Sequence, residues 1–213
     1  MKASDLFVRC LEAEGVEKIF GVPGEENADF MISLIDSPIE FVLCRHEQAA
    51  AFMADGYGRL TGKAGVCLST LGPGVTNLVT GLADANMDRA PVVAIIGQGS
   101  TERLHKESHQ IMDSISMVAP ISKWAQTILS AKNVTEVVRK AFKVAETEKP
   151  GVTVIELPED VAKEEVDENP IKPSLIRRPA ADYRAVNEAI ELIISAKNPI
   201  ILAGNGTIRK MAS

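Results

Sequence analysis

The chain has 213 residues, 46% of them hydrophobic, 24% charged and only 4% aromatic, with a net charge of −6. This is the balance of a globular protein with a core of Val, Ile, Leu, Ala and Met, and it argues against nucleic-acid binding as the main role, because a phosphate backbone needs a basic face. No apolar run is long enough to span a bilayer, the opening MKASDLFVRCLEAEG is too charged for a secretory signal, and three scattered cysteines make neither a disulfide framework nor a zinc site, so a reducing, cytoplasmic setting fits.

In chain order, strands are predicted at residues 40–44 (EFVLC), 66–70 (VCLST), 92–96 (VVAII), 152–157 (VTVIEL) and 200–203 (IILA). These are continuous apolar runs rather than strict alternations, which suits parallel strands covered on both faces. Three glycine turns, Gly21-Val22-Pro23-Gly24, Gly72-Pro73-Gly74 and Gly97-Gln98-Gly99, follow strand-like segments. In a doubly wound sheet the turns at the carboxyl ends of strands form the ligand crevice, and glycine lets the backbone come close to a ligand. The stretch from Gly72 to Asn77 fits neither the dinucleotide pattern nor the phosphate-binding P-loop. From spacing alone, tight strand-to-helix turns are the commoner reading. Further on, Val134, Val137, Val138, Ala141, Phe142 and Ala145 form one helical stripe, with Asn133 and Glu136 spaced as a capping pair.

Beyond Pro158 the composition changes. A charged stretch, EDVAKEEVDENP, and the prolines at 170, 173 and 179 read as an extended linker. Asp182 is placed to cap a helix that turns Val186, Ala189, Ile190, Ile193 and Ile194 inward, and Lys197-Asn198-Pro199 stops it. The last residues start a βα unit that cannot complete its own sheet, so a fragment boundary is expected. The predicted architecture is α/β: a doubly wound, mostly parallel sheet with helices on both faces, plus the start of a second α/β domain. The expected divisions are a first domain over 1–160, a linker over 161–181 and a truncated domain over 182–213.

Residues 45–98 change the odds for the glycine turns. RHEQAAAFMADGYGR at 45–59, TGKAGVCLSTLGPGVTNLVTG at 61–81 and ADANMDRAPVVAIIGQ at 83–98 follow GVPG at 21–24. HQIMD at 109–113 and PGVTVIELPEDV at 150–161 come after them. Together, in this order, they resemble the pyrimidine-binding domain of thiamine-diphosphate enzymes, specifically the acetolactate synthase group. The likeness covers nearly the whole first domain, and the tail is similar to the start of that family's central domain.

The resemblance implies a set of roles. Glu47 is the residue matching the family's catalytic glutamate, whose carboxyl group meets N1′ of the cofactor's aminopyrimidine and favours the imino form that takes the thiazolium proton. Pro23, Gly24, Gly72, Pro73, Gly74 and Asn77 would line the pyrimidine pocket. Gln110 is the candidate for a contact to substrate or intermediate. Read without the family, Glu47 is a solvated carboxylate in the first turn of a helix and Gln110 a loop residue bonded to solvent.

No GDG motif occurs, so the magnesium ligands and the diphosphate site are expected outside this chain, and no metal ligand is assigned within it. His105 and His109 read as surface-loop residues. His109-Gln110 stands where the flavin-containing biosynthetic enzymes carry Phe-Gln, and PEDV where they carry PKDV, so FAD is not favoured. The polar segment 99–108 is expected to be a mobile loop. The implied reaction condenses two pyruvates to 2-acetolactate and carbon dioxide through a thiamine-diphosphate enamine. A homodimer or homotetramer is implied, with the cofactor between subunits and the apolar parts of the helices after Glu47 and Thr76 at the contact. The fragment alone is expected to be inactive. The alternatives are another thiamine-diphosphate-dependent 2-keto acid decarboxylase or carboligase and, in a different class, a non-catalytic α/β interaction module.

Overall fold

The structure is a computed structural model that describes residues 1–174 and 180–207. The chain divides into two units, Met1–Ser174 and Leu175–Ser213. In the first unit the elements run α1 (Ala3–Ala13), β1 (Lys18–Gly21), α2 (Ala28–Leu34), β2 (Glu40–Leu43), α3 (Glu47–Thr61), β3 (Gly65–Ser69) and α4 (Pro73–Met87). They continue with β4 (Val92–Gln98), α5 (Ser114–Val118), β5 (Trp124–Thr127), α6 (Val134–Glu146), β6 (Val152–Pro158) and α7 (Glu159–Lys163).

The strands form one sheet in the order β2-β1-β3-β4-β6-β5, and every pairing is parallel. Strand alternation sorts the core into two layers. Val66, Leu68, Val93, Ile95 and Ile155 bury with Leu6, Phe7 and Leu11 of α1 and Val138, Ala141 and Phe142 of α6. Cys67, Val92, Ala94, Ile96 and Val154 bury with Ala50, Ala51 and Ala54 of α3 and Val75, Leu78 and Leu82 of α4. Helices therefore cover both faces, which is the doubly wound fold expected from the unbroken apolar runs. All three cysteines are free and buried; burial pushes the Cys67 thiol up to about 12.

Several local expectations need correction. Two four-residue strands, β1 and β5, were not among the predicted runs; each is half-buried, so its apolar signal is short and broken. Gly97 and Gln98 end β4 instead of opening a turn, because they still pair with Leu157 and Pro158. Asn133 makes no side-chain cap; Glu136 accepts a hydrogen bond from the Thr135 hydroxyl instead. The predicted α6 stripe is present, with Val134, Val138, Ala141, Phe142 and Ala145 buried. After α7 the chain stays on the first unit: Ala3 N–H donates to the Glu164 carbonyl at 2.8 Å, and Val166 N–H to the Met1 carbonyl at 2.9 Å.

In the second unit Asp182 caps α8 (Tyr183–Ser195), accepting hydrogen bonds from Arg184 N–H and Ala185 N–H. Residues 200–203 form no strand, and Val186, Ile190, Ile193 and Ile194 are exposed. Among the described residues of this unit a single short strand has no neighbour to complete its ladder, and none of them covers the helix stripe. Pro179 and residues 208–213 lie outside the described residues. Among the described residues no helix is long and apolar enough to cross a membrane.

One carboxyl group interrupts the core at the carboxyl end of the sheet. Glu156 of β6 is 3% exposed. It accepts hydrogen bonds from Gln98 Nε2 at 3.0 Å and Thr127 Oγ1 at 2.6 Å. Burial raises its pKa against the opposing effect of these bonds, and the nearby charge of Asp113 pushes the same way. A carboxyl raised in the folded state stabilises below its unfolded pKa of roughly 4.3 and loses that contribution as pH rises through the folded value. Glu156→Gln keeps an acceptor for Gln98 and offers an N–H to Thr127 but cannot ionise. Its melting temperature relative to the parent should therefore climb between pH 4 and pH 7 (roughly the span above the unfolded pKa). A difference that stays flat across that range, read by circular dichroism, would rule out ionisation of Glu156 as a cost to the fold.

Candidate active site at the sheet's switch point

The strand order reverses direction at β1: the chain runs outward to β2, then returns to place β3 on the other side. Loops leaving β1 and β3 at their carboxyl ends diverge there and leave a crevice. GVPG leaves β1, and Thr70-Leu71-Gly72-Pro73-Gly74 leaves β3. The chain after β2 delivers the third component, the start of α3.

His46 is extended, with φ −158° and ψ 140°, and its Nδ1 accepts a hydrogen bond from Gln48 N–H at 3.1 Å. That N-cap makes Glu47 the first helical residue, where the helix dipole favours a carboxylate. The position is the first helical turn expected without the family, but the side chain is not solvated: Glu47 is 8% exposed. Its Oε2 accepts a hydrogen bond from Asn77 Nδ2 at 2.9 Å. Asn77 comes from α4, which Pro73 starts at its first position, where a missing N–H costs nothing.

The glycines stand where side chains would not fit. A Cβ on Gly74 would lie 3.5 Å from Glu47 Oε1 and 3.1 Å from Thr70 Cγ2. A Cβ on Gly24 would come within 2.5 Å of Thr70 Cβ. Gly72 adopts φ 53° and ψ −114°, and a Cβ there would meet the Gln110 carbonyl at 2.5 Å.

Thr70 thus joins the two turns, and its hydroxyl donates to Glu26 Oε2 at 2.8 Å. Neither Thr70 nor Glu26 was singled out from the sequence. The available signal was positional: one directly follows the strand before the glycine turn and the other follows GVPG by two residues. Glu47, Gly24, Gly72, Gly74 and Asn77 are brought together. Pro23 and Pro73 are exposed beside them. Gln110 reaches Gly72 by its backbone and Cβ, with φ 56°. His105 and His109 are exposed. Among the described residues no group of three or more His, Cys, Asp or Glu could hold a metal ion.

A buried carboxyl group with one oxygen held by an amide and the other beside Gly74 is suited to hydrogen-bond a flat nitrogen heterocycle. Comparison with known proteins points the same way. Residues 1–117 match the family described as thiamine pyrophosphate enzyme, N-terminal TPP binding domain. A probable acetolactate synthase large subunit from Methanocaldococcus jannaschii is 41% identical over 224 residues, covering 100% of this chain and 37% of the relative. The catabolic acetolactate synthase of Raoultella terrigena is 42% identical, covering 94% of this chain and 36% of its own length. Glyoxylate carboligase of Escherichia coli O157:H7 is 37% identical, over 100% of this chain and 37% of that enzyme. The chain therefore spans a little over a third of these relatives. On its matched domain and the sheet that carries it, the chain belongs to the thiamine pyrophosphate enzyme family, of which it contains the N-terminal TPP binding domain.

Proposed function

We propose that this chain is the ring-binding portion of a thiamine-diphosphate-dependent acetolactate synthase that condenses two pyruvates to 2-acetolactate and carbon dioxide. The observation that carries the reading is the Glu47 carboxyl group, buried and fixed by Asn77 beside the Gly72–Gly74 turn. These residues fit the pyrimidine half of the cofactor: a buried carboxyl group is present for a ring nitrogen, and Gly24 and Gly74 let both turns close tightly on Thr70 beside it. Bound there, thiamine diphosphate supplies the electron sink for breaking the carbon–carbon bond to a keto acid's carboxylate. Glu47 holds or yields a proton at the ring nitrogen. Asn77 orients the carboxyl group, and the glycine turns let the backbone reach the ring faces. Pro23 and Pro73 stiffen those turns, and Gln110 stands beside them toward the substrate. Residues for the diphosphate and its magnesium ion are proposed to lie outside this chain.

The glyoxylate carboligase relative favours a second reading, a carboligase of a different 2-keto acid. The test is an assay of the longer enzyme carrying this segment, with pyruvate and with glyoxylate in parallel. Acetolactate from pyruvate supports the synthase. Carbon dioxide from glyoxylate alone supports the second reading, and acetaldehyde as the product from pyruvate would point to a simple decarboxylase. The 213-residue chain by itself is expected to turn over neither.

We also propose pairing of two copies through α3 and α4. Phe52, Met53 and Leu60 of α3 and Met87 of α4 are 40%, 46%, 89% and 78% exposed. Large apolar side chains gathered on two adjacent helices are costly to leave in water. Light scattering on the chain should return a dimer that Phe52→Asp converts to monomer; a parent chain that is monomeric at high concentration would remove the pairing.

A further inference from the structure

Residues 99–113 join β4 to α5 and carry Gln110 to the Gly72 turn. The expected mobile loop is instead tied down along its length, and the ties lead to the junction of β6 and α7. Asp160 accepts hydrogen bonds from Thr101 N–H at 3.0 Å and from the Thr101 hydroxyl. Glu159 Oε1 accepts from Ser100 N–H at 3.2 Å and from Arg103 Nη1 at 3.3 Å. Arg103 Nε in turn donates to Ser108 Oγ at 3.0 Å, and the Ser108 carbonyl accepts from Ile111 N–H at 3.2 Å. Gln98 Nε2, itself held on Glu156, closes the far end on the Met112 carbonyl at 3.2 Å. Gly99 sits so near Ile111 that a Cβ would approach its Cδ1 to 2.8 Å.

We infer that Asp160 and Glu159 are positioning residues: the β6–α7 turn holds residues 99–112 as a preset arm and so decides where Gln110 stands against Gly72. The role of the arm in turnover rests on the proposed reading of that turn as ring-binding; its mechanics do not. Two observations argue that the arm needs an outside anchor. His105 and Gln110 have φ of 63° and 56°, a left-handed conformation that side chains rarely adopt unless their surroundings enforce it. The ties to α7 are also charge-assisted, the stronger kind of hydrogen bond. Burial works to raise the pKa of Asp160, but the Thr101 hydroxyl and amide, together with the backbone N–H groups of Val161 and Asp160, outweigh it and hold the carboxyl below its ordinary range.

Hydrogen exchange on the 213-residue chain tests the arm without cofactor or substrate. Asp160→Ala should speed exchange at Ile111, ten residues beyond the tie, by about tenfold, and Thr101→Val by less, because its backbone N–H still reaches Asp160. The double variant should be no faster than Asp160→Ala, because both substitutions act on one link. Asp160→Asn keeps an acceptor for the Thr101 amide and should recover part of the protection. Faster exchange confined to Thr101, or additive effects in the double variant, would overturn the arm. In the longer enzyme Asp160→Asn should raise KM for the keto acid more than it lowers kcat. A loss of kcat alone would overturn the positioning role. Because exchange is read on the chain alone, an error in the Glu47 assignment leaves that result standing.

Discussion

Glu47→Gln should leave the fold and the Asn77 hydrogen bond in place and still lower kcat of the longer enzyme roughly a hundred- to ten-thousandfold. The substitution is isosteric. Its amide oxygen can take the hydrogen bond that Oε2 now accepts from Asn77 at 2.9 Å. What it removes is the proton that a carboxyl group can exchange with the ring nitrogen, since an amide neither ionises nor donates from an acidic O–H. KM for the keto acid should move far less than kcat, because the lost interaction serves activation of the cofactor and not substrate binding. The measurement is steady-state turnover at saturating thiamine diphosphate, with the melting curve of the variant as control. Turnover within a few-fold of the parent, in a folded variant, would remove Glu47 from the chemistry and favour the reading of the domain as a non-catalytic module.

The second large effect is on the fold itself. Gly72→Ala should cost about 3 kcal/mol, combining backbone strain with overpacking. Gly72 has φ 53° and ψ −114°, outside the left-handed helical well that other residues tolerate. The added methyl would also meet the Gln110 carbonyl at 2.5 Å, and a carbonyl on a tethered arm has little room to retreat. For a domain of this size the melting temperature should fall by roughly 6–12 °C. Gly62 provides the comparison within the same chain. It too has positive φ, at 71°, but it ends α3 in open space with nothing within 4 Å of a Cβ. Gly62→Ala should therefore cost only about 1 kcal/mol, the ordinary penalty of the left-handed conformation. If the two variants melt together, the close approach of Gln110 to Gly72 is not a feature of the folded chain.

Three of the strands that were readable are buried on both faces. β3, β4 and β6 are buried at every residue, so their apolar runs are unbroken. β2 is equally short and only half-covered, but its Phe41-Val42-Leu43 run is apolar, whereas Lys18 opens β1 and Gln126 and Thr127 end β5, so neither of those four-residue strands shows an apolar run. In such strands the pairing comes from neighbours already in place, not from local pattern. β1 is nonetheless the strand at which the order reverses, so the weakest local signal belongs to the strand that creates the crevice. The start of α3 shows the same division. The helix dipole and the His46 cap locate Glu47 in the first turn, but a first-turn glutamate is ordinarily wet; only the approach of Asn77 and Gly74 from α4 makes it buried.

The sequence by itself determined the class of fold and the glycine turns after β1 and β3, and it singled out Glu47 as the candidate, because burial patterns and a long ordered set of motifs are written along the chain. It did not contain Thr70 as the joint between the two turns, Glu26 beneath it, or the ties from Asp160 to the Gln110 arm. Thr101 and Asp160 are separated by 59 residues. Contacts at such separation exist only once parallel strands have stacked β4 beside β6, since a hydrogen bond is decided by distance in space and leaves no period along the chain.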